Sequence, residues 1–257
     1  MTILVVIPAR GGSKGIPRKN LIDVGGQPLL AWTIQQALAA RSGADQDLIV
    51  AVSTEDPEIA QVAREHGASV IDRPAELATD TAPTEPTVLH AMDVTEAQGI
   101  QLEAVVLLQA TSPVRRTDTI GRAIAQFRET GVDSLVGVVP ESPFFWHLPA
   151  APGESAHADY DVDARPRRQE LTPDQQHYFE NGSLYVTAPR IYRERSNRIG
   201  GRVGLFILEE VEGVDIDTLE DVTAAEKMLA RLAGTDAGIA QGLSTSGTTD
   251  GTTGGEA

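Results

Sequence analysis

"ILVVIPARGGSKGIPRKN", Ile3 to Asn20, joins two unlike pieces of chain. ILVVIPA is a continuous apolar run that closes in a loop, the pattern of a strand buried on both faces. The loop holds Arg10, Lys14, Arg18 and Lys19 and no acid, although the formal net charge of the protein is −16. Lys14, Lys19 and Lys227 are the only lysines in 257 residues, so two of three lie in this one connection. Its glycines, Gly12 among them, let the backbone curl and turn N–H groups toward an anion. Arg10, Lys14 and Lys19 add charge-assisted hydrogen bonds, on the order of 1.5–3 kcal/mol each. Distant acids do not defeat this, because exposed charges are screened over about 8 Å while contacts act at about 3 Å. The spacing fits neither G-x-x-x-x-G-K-[ST] nor G-x-G-x-x-G, so neither a P-loop nor a dinucleotide fingerprint is expected. A solvated basic turn is the plain alternative; the scarcity of lysine elsewhere favours an anion site.

Outward from this loop the chain alternates strands and helices. QPLLAWTIQQALAA has helical spacing with Pro28 in the first turn, and DLIVAVS is a second strand. DPEIAQVAREHG reads as a helix capped by Asp56, begun by Pro57 and stopped at Gly67. ASVI, AVVLLQA, DSLVGVVP, SLYVTA and GRVGLFIL are further strands. EPTVLHAMDVTEAQ, TDTIGRAIAQFRETG and TLEDVTAAEKMLARLAG are further helices. The expected fold is a three-layer α/β/α domain over residues 1–232 with a mostly parallel sheet. The rhythm breaks between Glu141 and Asn181, which is read as an inserted arm. Residues 233–257, rich in Gly, Ser and Thr, are read as a disordered tail. In open α/β sheets ligands bind beyond the carboxyl ends of the strands, which puts the loop and QATSP on one rim.

Zero cysteines exclude a disulfide framework, thiolate metal sites and a cysteine nucleophile. The opening apolar run is too short for a secretory signal, and no stretch approaches the roughly 20 apolar residues of a membrane helix. A soluble, cytoplasmic protein is expected, without a membrane or nucleic-acid partner, since a nucleic-acid surface would be basic. The five histidines show no H-E-x-x-H or similar ligand spacing.

Several other constellations carry chemistry. Asp215 and Asp217, two apart in GVDIDTLED, fall on one side of an extended strand. They suit a hard cation such as Mg²⁺, which takes a few carboxylates plus phosphate oxygens. Asp217 could equally cap the following helix, and spacing leaves both readings open. Gln109, Thr111 and Ser112 end a buried strand, where they are site residues or turn formers before Pro113. Arg165, Arg167 and Arg168 in RPRRQEL offer planar forks suited to a carboxylate, or form an exposed basic turn.

IPARGGSKGIPRKN resembles the nucleotide-binding opening of the acylneuraminate cytidylyltransferases, which make CMP-activated sialic and related nonulosonic acids. The resemblance continues through RPAELATDTAPT, LLQATSPVR, RRQEL, FENGSLYV and VDIDTLEDV, from Ile3 to about Leu232. It implies a Mg²⁺-dependent transfer from CTP to a nonulosonic acid, in a homodimer whose arm, residues 141–181, completes the neighbouring site. Arg10, Gly12, Ser13, Lys14, Lys19, Asn20, Arg73 and Thr84 then face the nucleotide, and Gln109, Arg168 and Asn181 the sugar acid. Asp215 and Asp217 hold the metal and, with Lys14, form the catalytic set. Two departures, Phe145 where such relatives carry a lysine and a longer TPDQQHY, fall on the sugar-acid side. Another nucleotidyltransferase, with a different sugar or with GTP, and a non-catalytic sugar-nucleotide-binding module are the alternatives.

Overall fold

The computed structural model describes residues 1–13, 15–40, 47–172 and 175–245. Eight strands form one sheet: β1 (Thr2–Pro8), β2 (Leu48–Thr54), β3 (Ser69–Asp72), β4 (Leu102–Leu108), β5 (Ser134–Glu141), β6 (His177–Phe179), β7 (Leu184–Thr187) and β8 (Val203–Ile207). Their order is β3-β2-β1-β4-β7-β5-β8, with β6 pairing the last residues of β5. β1 runs parallel to both β2 and β4, and β2 parallel to β3. β7 is antiparallel to β4 and β5, and β8 is parallel to β5. The sheet is therefore mostly parallel, as its near-continuous apolar strands require.

Strand alternation divides the core between two faces. Ile3, Val5 and Ile7 pack with Leu30 and Ile34 of α1 (Leu29–Ala39), Ile59 of α2 (Pro57–Glu65) and Ile124 of α4 (Thr119–Thr130). Leu4 and Val6 pack on the other face with Val88 and Met92 of α3 (Thr84–Glu96) and Tyr192 of α5 (Pro189–Arg195). Each fully buried aliphatic side chain contributes about 1.5–3 kcal/mol. A third cluster joins Ile16 of the first loop to Val114, Ile216 and Leu229, the last from α6 (Leu219–Thr245). That cluster ties the basic loop to the far end of the chain.

Asp56 caps α2 as expected, accepting from Glu58 N at 2.9 Å and Ile59 N at 3.0 Å, with Pro57 at the first position. Two expectations are corrected, and α5 occupies a stretch between β7 and β8 that the sequence pattern left unassigned. Residues 214–218 form no strand: Ile216 N donates to Thr111 O at 2.8 Å and its side chain is buried, so the alternation holds outside the sheet. The closing helix continues to Thr245, so the residues expected as a tail are helical from 233 to 245, while 246–257 lie outside the described residues. Ala233, Ala237 and Ala240 recur across that stretch beside single Gln241 and Leu243, all good helix formers set among three glycines.

The arm contains a short antiparallel ribbon, Trp146–His147 with His157–Ala158. Arg165 stacks over Phe144 at 4.2 Å, and Phe144 meets Tyr160 edge-on at 5.1 Å.

Candidate active site

β1 and β4 are parallel neighbours and end on one rim, where β1 is also the point at which strand order reverses. Open α/β sheets place ligands there. Beyond those ends lies a cavity of about 320 Å³. Arg10, Gly12, Ser13, Lys19 and Asn20 line it from the first loop, Arg73 and Thr84 from the segment between β3 and α3, and Gln109 from the end of β4. Lys14 lies outside the described residues.

The loop is held open by specific contacts. Asn20 Nδ2 donates to Arg10 O at 3.0 Å, bracing the turn from inside. Arg10 crosses to the opposite wall, donating to Thr79 O at 2.8 Å and pairing with Asp80 at 3.1 Å. Arg18, with a left-handed φ of 59°, turns away to α2, where it pairs with Asp56 and with Glu58 at 2.8 Å. Gly15 is required: a Cβ there would stand 2.8 Å from Asp217 O. Of the described loop cations, Arg10 and Lys19 therefore face the cavity, while Arg18 fastens the loop to the fold.

Lys19 joins the two ends of the sequence. Its Nζ donates to Ile216 O at 2.7 Å and to Asp217 Oδ1 at 2.8 Å. Asp217 is not the cap of α6; Thr218 and Asp221 close that helix start, with Asp221 Oδ2 accepting from Thr218 N at 2.8 Å. The Asp217 side chain is 78 % exposed. Asp215 Oδ1 accepts from Ser112 Oγ at 3.1 Å, beside the end of β4. Among the described residues no group of three or more acids and histidines is placed to hold a metal. Two carboxylates suffice for magnesium when phosphate oxygens and waters complete its shell. The exposed Asp217 and its neighbour Asp215 fit that donor set.

Arg73 is 8 % exposed and donates to the carbonyl and, at 3.3 Å, the hydroxyl of Ser53. Burial holds its guanidinium below the usual arginine range, with Glu55 opposing and Arg10 adding to the shift.

Two expected ligands stand elsewhere. Asn181 is buried, donating to Glu212 O at 3.1 Å and accepting from Ser183 N at 3.2 Å, and it does not line the cavity. It secures the turn before β7. Arg168 lines a separate space of about 650 Å³ with Glu141, Leu171, Phe179 and Glu210.

Sequence reasoning missed the buried polar groups behind the cavity. Arg115, 3 % exposed, reaches Gln109 O and Ser183 O, and the fully buried Glu212 accepts from Thr119 Oγ1 and from Glu209 N. Nothing in "VRR" or "EEVEG" marks which arginine or which glutamate turns inward.

Residues 4–229 match the model of the cytidylyltransferase family, and the chain belongs to that family, an enzyme of the nucleotidyltransferase class. It is 35% identical over 233 residues to the CMP-N,N'-diacetyllegionaminic acid synthase of Legionella pneumophila, covering 89% of this chain and 97% of that protein. The N-acylneuraminate cytidylyltransferase A of Danio rerio is 31% identical over 233 residues, 89% of this chain but 51% of that longer protein. Among solved structures, a CMP:2-keto-3-deoxy-manno-octonic acid synthetase complexed with CTP superposes with a TM-score of 0.64 at 18% identity, covering 90% of this chain and 99% of that one. That likeness establishes the fold: nucleotide-sugar transferase, three layers, mixed and mostly parallel sheet. No helix among the described residues is long and apolar enough to cross a membrane.

Proposed function

We propose that the protein activates a nonulosonic acid with CTP, giving the CMP-sugar and pyrophosphate. The observation that carries this reading is the convergence of Arg10, Ser13, Lys19, Arg73 and Thr84 on one cavity at the ends of β1 and β4, with Asp217 against Lys19.

Arg10 and Lys19, with Ser13 and the loop amides around Gly12, receive the triphosphate and stabilise its charge. Lys14 is assigned to the same phosphates. Thr84 and Arg73 bound the nucleotide on the β3–α3 side. Gln109 orients the sugar acid so that its anomeric oxygen faces the α-phosphorus. That oxygen forms the new P–O bond, the bond from the α-phosphorus to the bridging oxygen breaks, pyrophosphate departs, and the hydroxyl proton passes to solvent water. Asp215 and Asp217 would hold Mg²⁺, which supplies charge neutralisation on the triphosphate when bound.

The reading includes a cytoplasmic homodimer. The arm turns Phe145, Trp146, Leu148 and Val162 to solvent, and Phe145 shares a depression with the exposed Phe179, apolar groups that a second copy would cover. Arg168, which shares a space with Glu141 and Phe179, is assigned to the acid's carboxylate across such an interface. Phe145 stacks on His177 at 5.8 Å, so the sugar side is aromatic at this point.

The test is a pyrophosphate-release screen of four nucleoside triphosphates against sialic, legionaminic and pseudaminic acids, with and without a magnesium chelator. CTP with one of these acids, magnesium present, is expected to give turnover. Tight nucleotide binding with no turnover in any combination would overturn the reading in favour of a binding module.

A further inference from the structure

Arg115 stands where three parts of the molecule meet. Its Nη2 donates to Gln109 O at 2.9 Å and to Ser183 O at 2.7 Å. Its Nη1 donates to Gln36 Oε1 at 3.1 Å and Thr33 Oγ1 at 3.3 Å, both on α1. Gln36 returns to the same turn, donating to Pro113 O at 2.6 Å.

All four acceptors are neutral, which is unusual for a buried guanidinium, normally paired with a carboxylate. Glu212 and Asp215 lend only longer-range charge, and burial pushes Arg115 down to about 10, so it remains cationic at neutral pH. Its Nε has no hydrogen-bond partner among the described residues. An apolar side chain of similar volume would fill this space without the desolvation penalty. What only the planar fork supplies is a simultaneous grip, through Nη2, on two carbonyls at the adjoining ends of β4 and β7 and, through Nη1, on Thr33 and Gln36 of α1.

Those ends carry the sugar side of the cavity. Leu108 pairs with Leu184, so Gln109 and Ser183 leave the sheet side by side. Gly182, with φ of 76°, abuts the Gln109 side chain so closely that a Cβ there would stand 3.0 Å from Oε1. Arg115 thus fixes both the backbone that bears Gln109 and the turn against which its amide rests.

We propose that Arg115 is a positioning residue for Gln109 and, through it, for recognition of the sugar acid. This rests on the reading of Gln109 as a sugar-acid ligand. Arg115→Lys retains charge but loses the fork. It is expected to raise KM for the acid about tenfold while KM for CTP stays within about twofold. In a Gln109→Ala background the same change is expected to add less than about twofold, because the partner it positions is gone. Equal rises in both KM values, or a full tenfold effect in the Gln109→Ala background, would overturn the proposal. Should Arg115→Lys fail to fold, Gln36→Met removes one anchor of the guanidinium. A smaller rise in KM for the acid supports the proposal, and an unchanged one overturns it. If the wild-type enzyme turns over no acid, the functional reading fails separately. The proposal is then judged by the Gln109 side-chain amide resonance, identified by its loss in Gln109→Ala. A shift in Arg115→Lys supports it, and an unmoved resonance ends it.

Discussion

The nucleotide side and the arm side of the cleft are built on different principles. On the nucleotide side the lining residues follow the ends of buried strands, and the sheet fixes their relative positions before any ligand arrives. Lys19, its side chain 11 % exposed, is held by two acceptors from the other end of the chain. On the arm side a two-residue-per-strand ribbon carries the chain away from the sheet, and its large apolar groups face solvent, Leu148 at 88 %. Arg167 there pairs only with Glu170, three residues on, at 3.4 Å among the described contacts. The difference teaches that the loop side is preorganised within one chain, whereas the arm, on the function proposed above, takes its final form from a second copy packed over it.

The sharpest way to break this contrast is Lys19→Ala. It is expected to lower kcat/KM for pyrophosphate release by about 10²–10³, the scale of a lost electrostatic donor in a preorganised site. Its thermal midpoint should fall by only a few degrees on the scale of about 1 kcal/mol, because Lys19 sits at the rim and not in the core. Turnover within twofold of wild type would show that the rigid half is scenery. Next in size, Arg168→Ala is expected to raise KM for the acid by roughly 10-fold or more, as for a charged hydrogen bond, and to leave KM for CTP unchanged. A matched rise in both would erase the division between the halves.

The smallest effect concerns what keeps the loop fastened. Burial alone would raise the Asp56 carboxyl, but the Arg18 guanidinium and the amides of Ile59 and Glu58 outweigh it and hold the group below its ordinary value. A carboxyl lowered in the folded state stabilises above its unfolded value near 3.9 and loses that contribution as pH falls through the lower folded value. Asp56→Asn keeps a capping side chain but removes the charge. Its deficit in thermal midpoint, present at pH 7, is therefore expected to close below about pH 4. A deficit that persists unchanged in acid would assign it to the cap and not to Arg18.

The sequence announced the rigid half because its signals are local. An apolar run followed by glycines and cations states both where a strand stops and what it stops beside. The same logic made Asp56, Pro57 and Gly67 readable as the bounds of α2, and the alternation around Ile216 readable although no strand forms there. The inward turn of Asn181 was not legible, because its motif says only that an amide lies near the rim; the Glu212 carbonyl, 31 residues away, accepts its hydrogen bond. Arg115 was illegible for a related reason. Its burial is decided by carbonyls 6 and 68 residues distant, which no short pattern encodes. The helical continuation to Thr245 shows the opposite failure, composition having been given more weight than propensity.

The contact of Lys19 with Asp217 spans 198 residues of chain. Synthesis proceeds from the amino end, so the basic loop leaves the ribosome long before the carboxylate and the Ile216 carbonyl that anchor its lysine. Until then the strand ends have no finished wall, and Gly15 has nothing to rest against. A nascent chain, or one cut before Ile216, thus carries the loop cations without the two acceptors that hold Lys19.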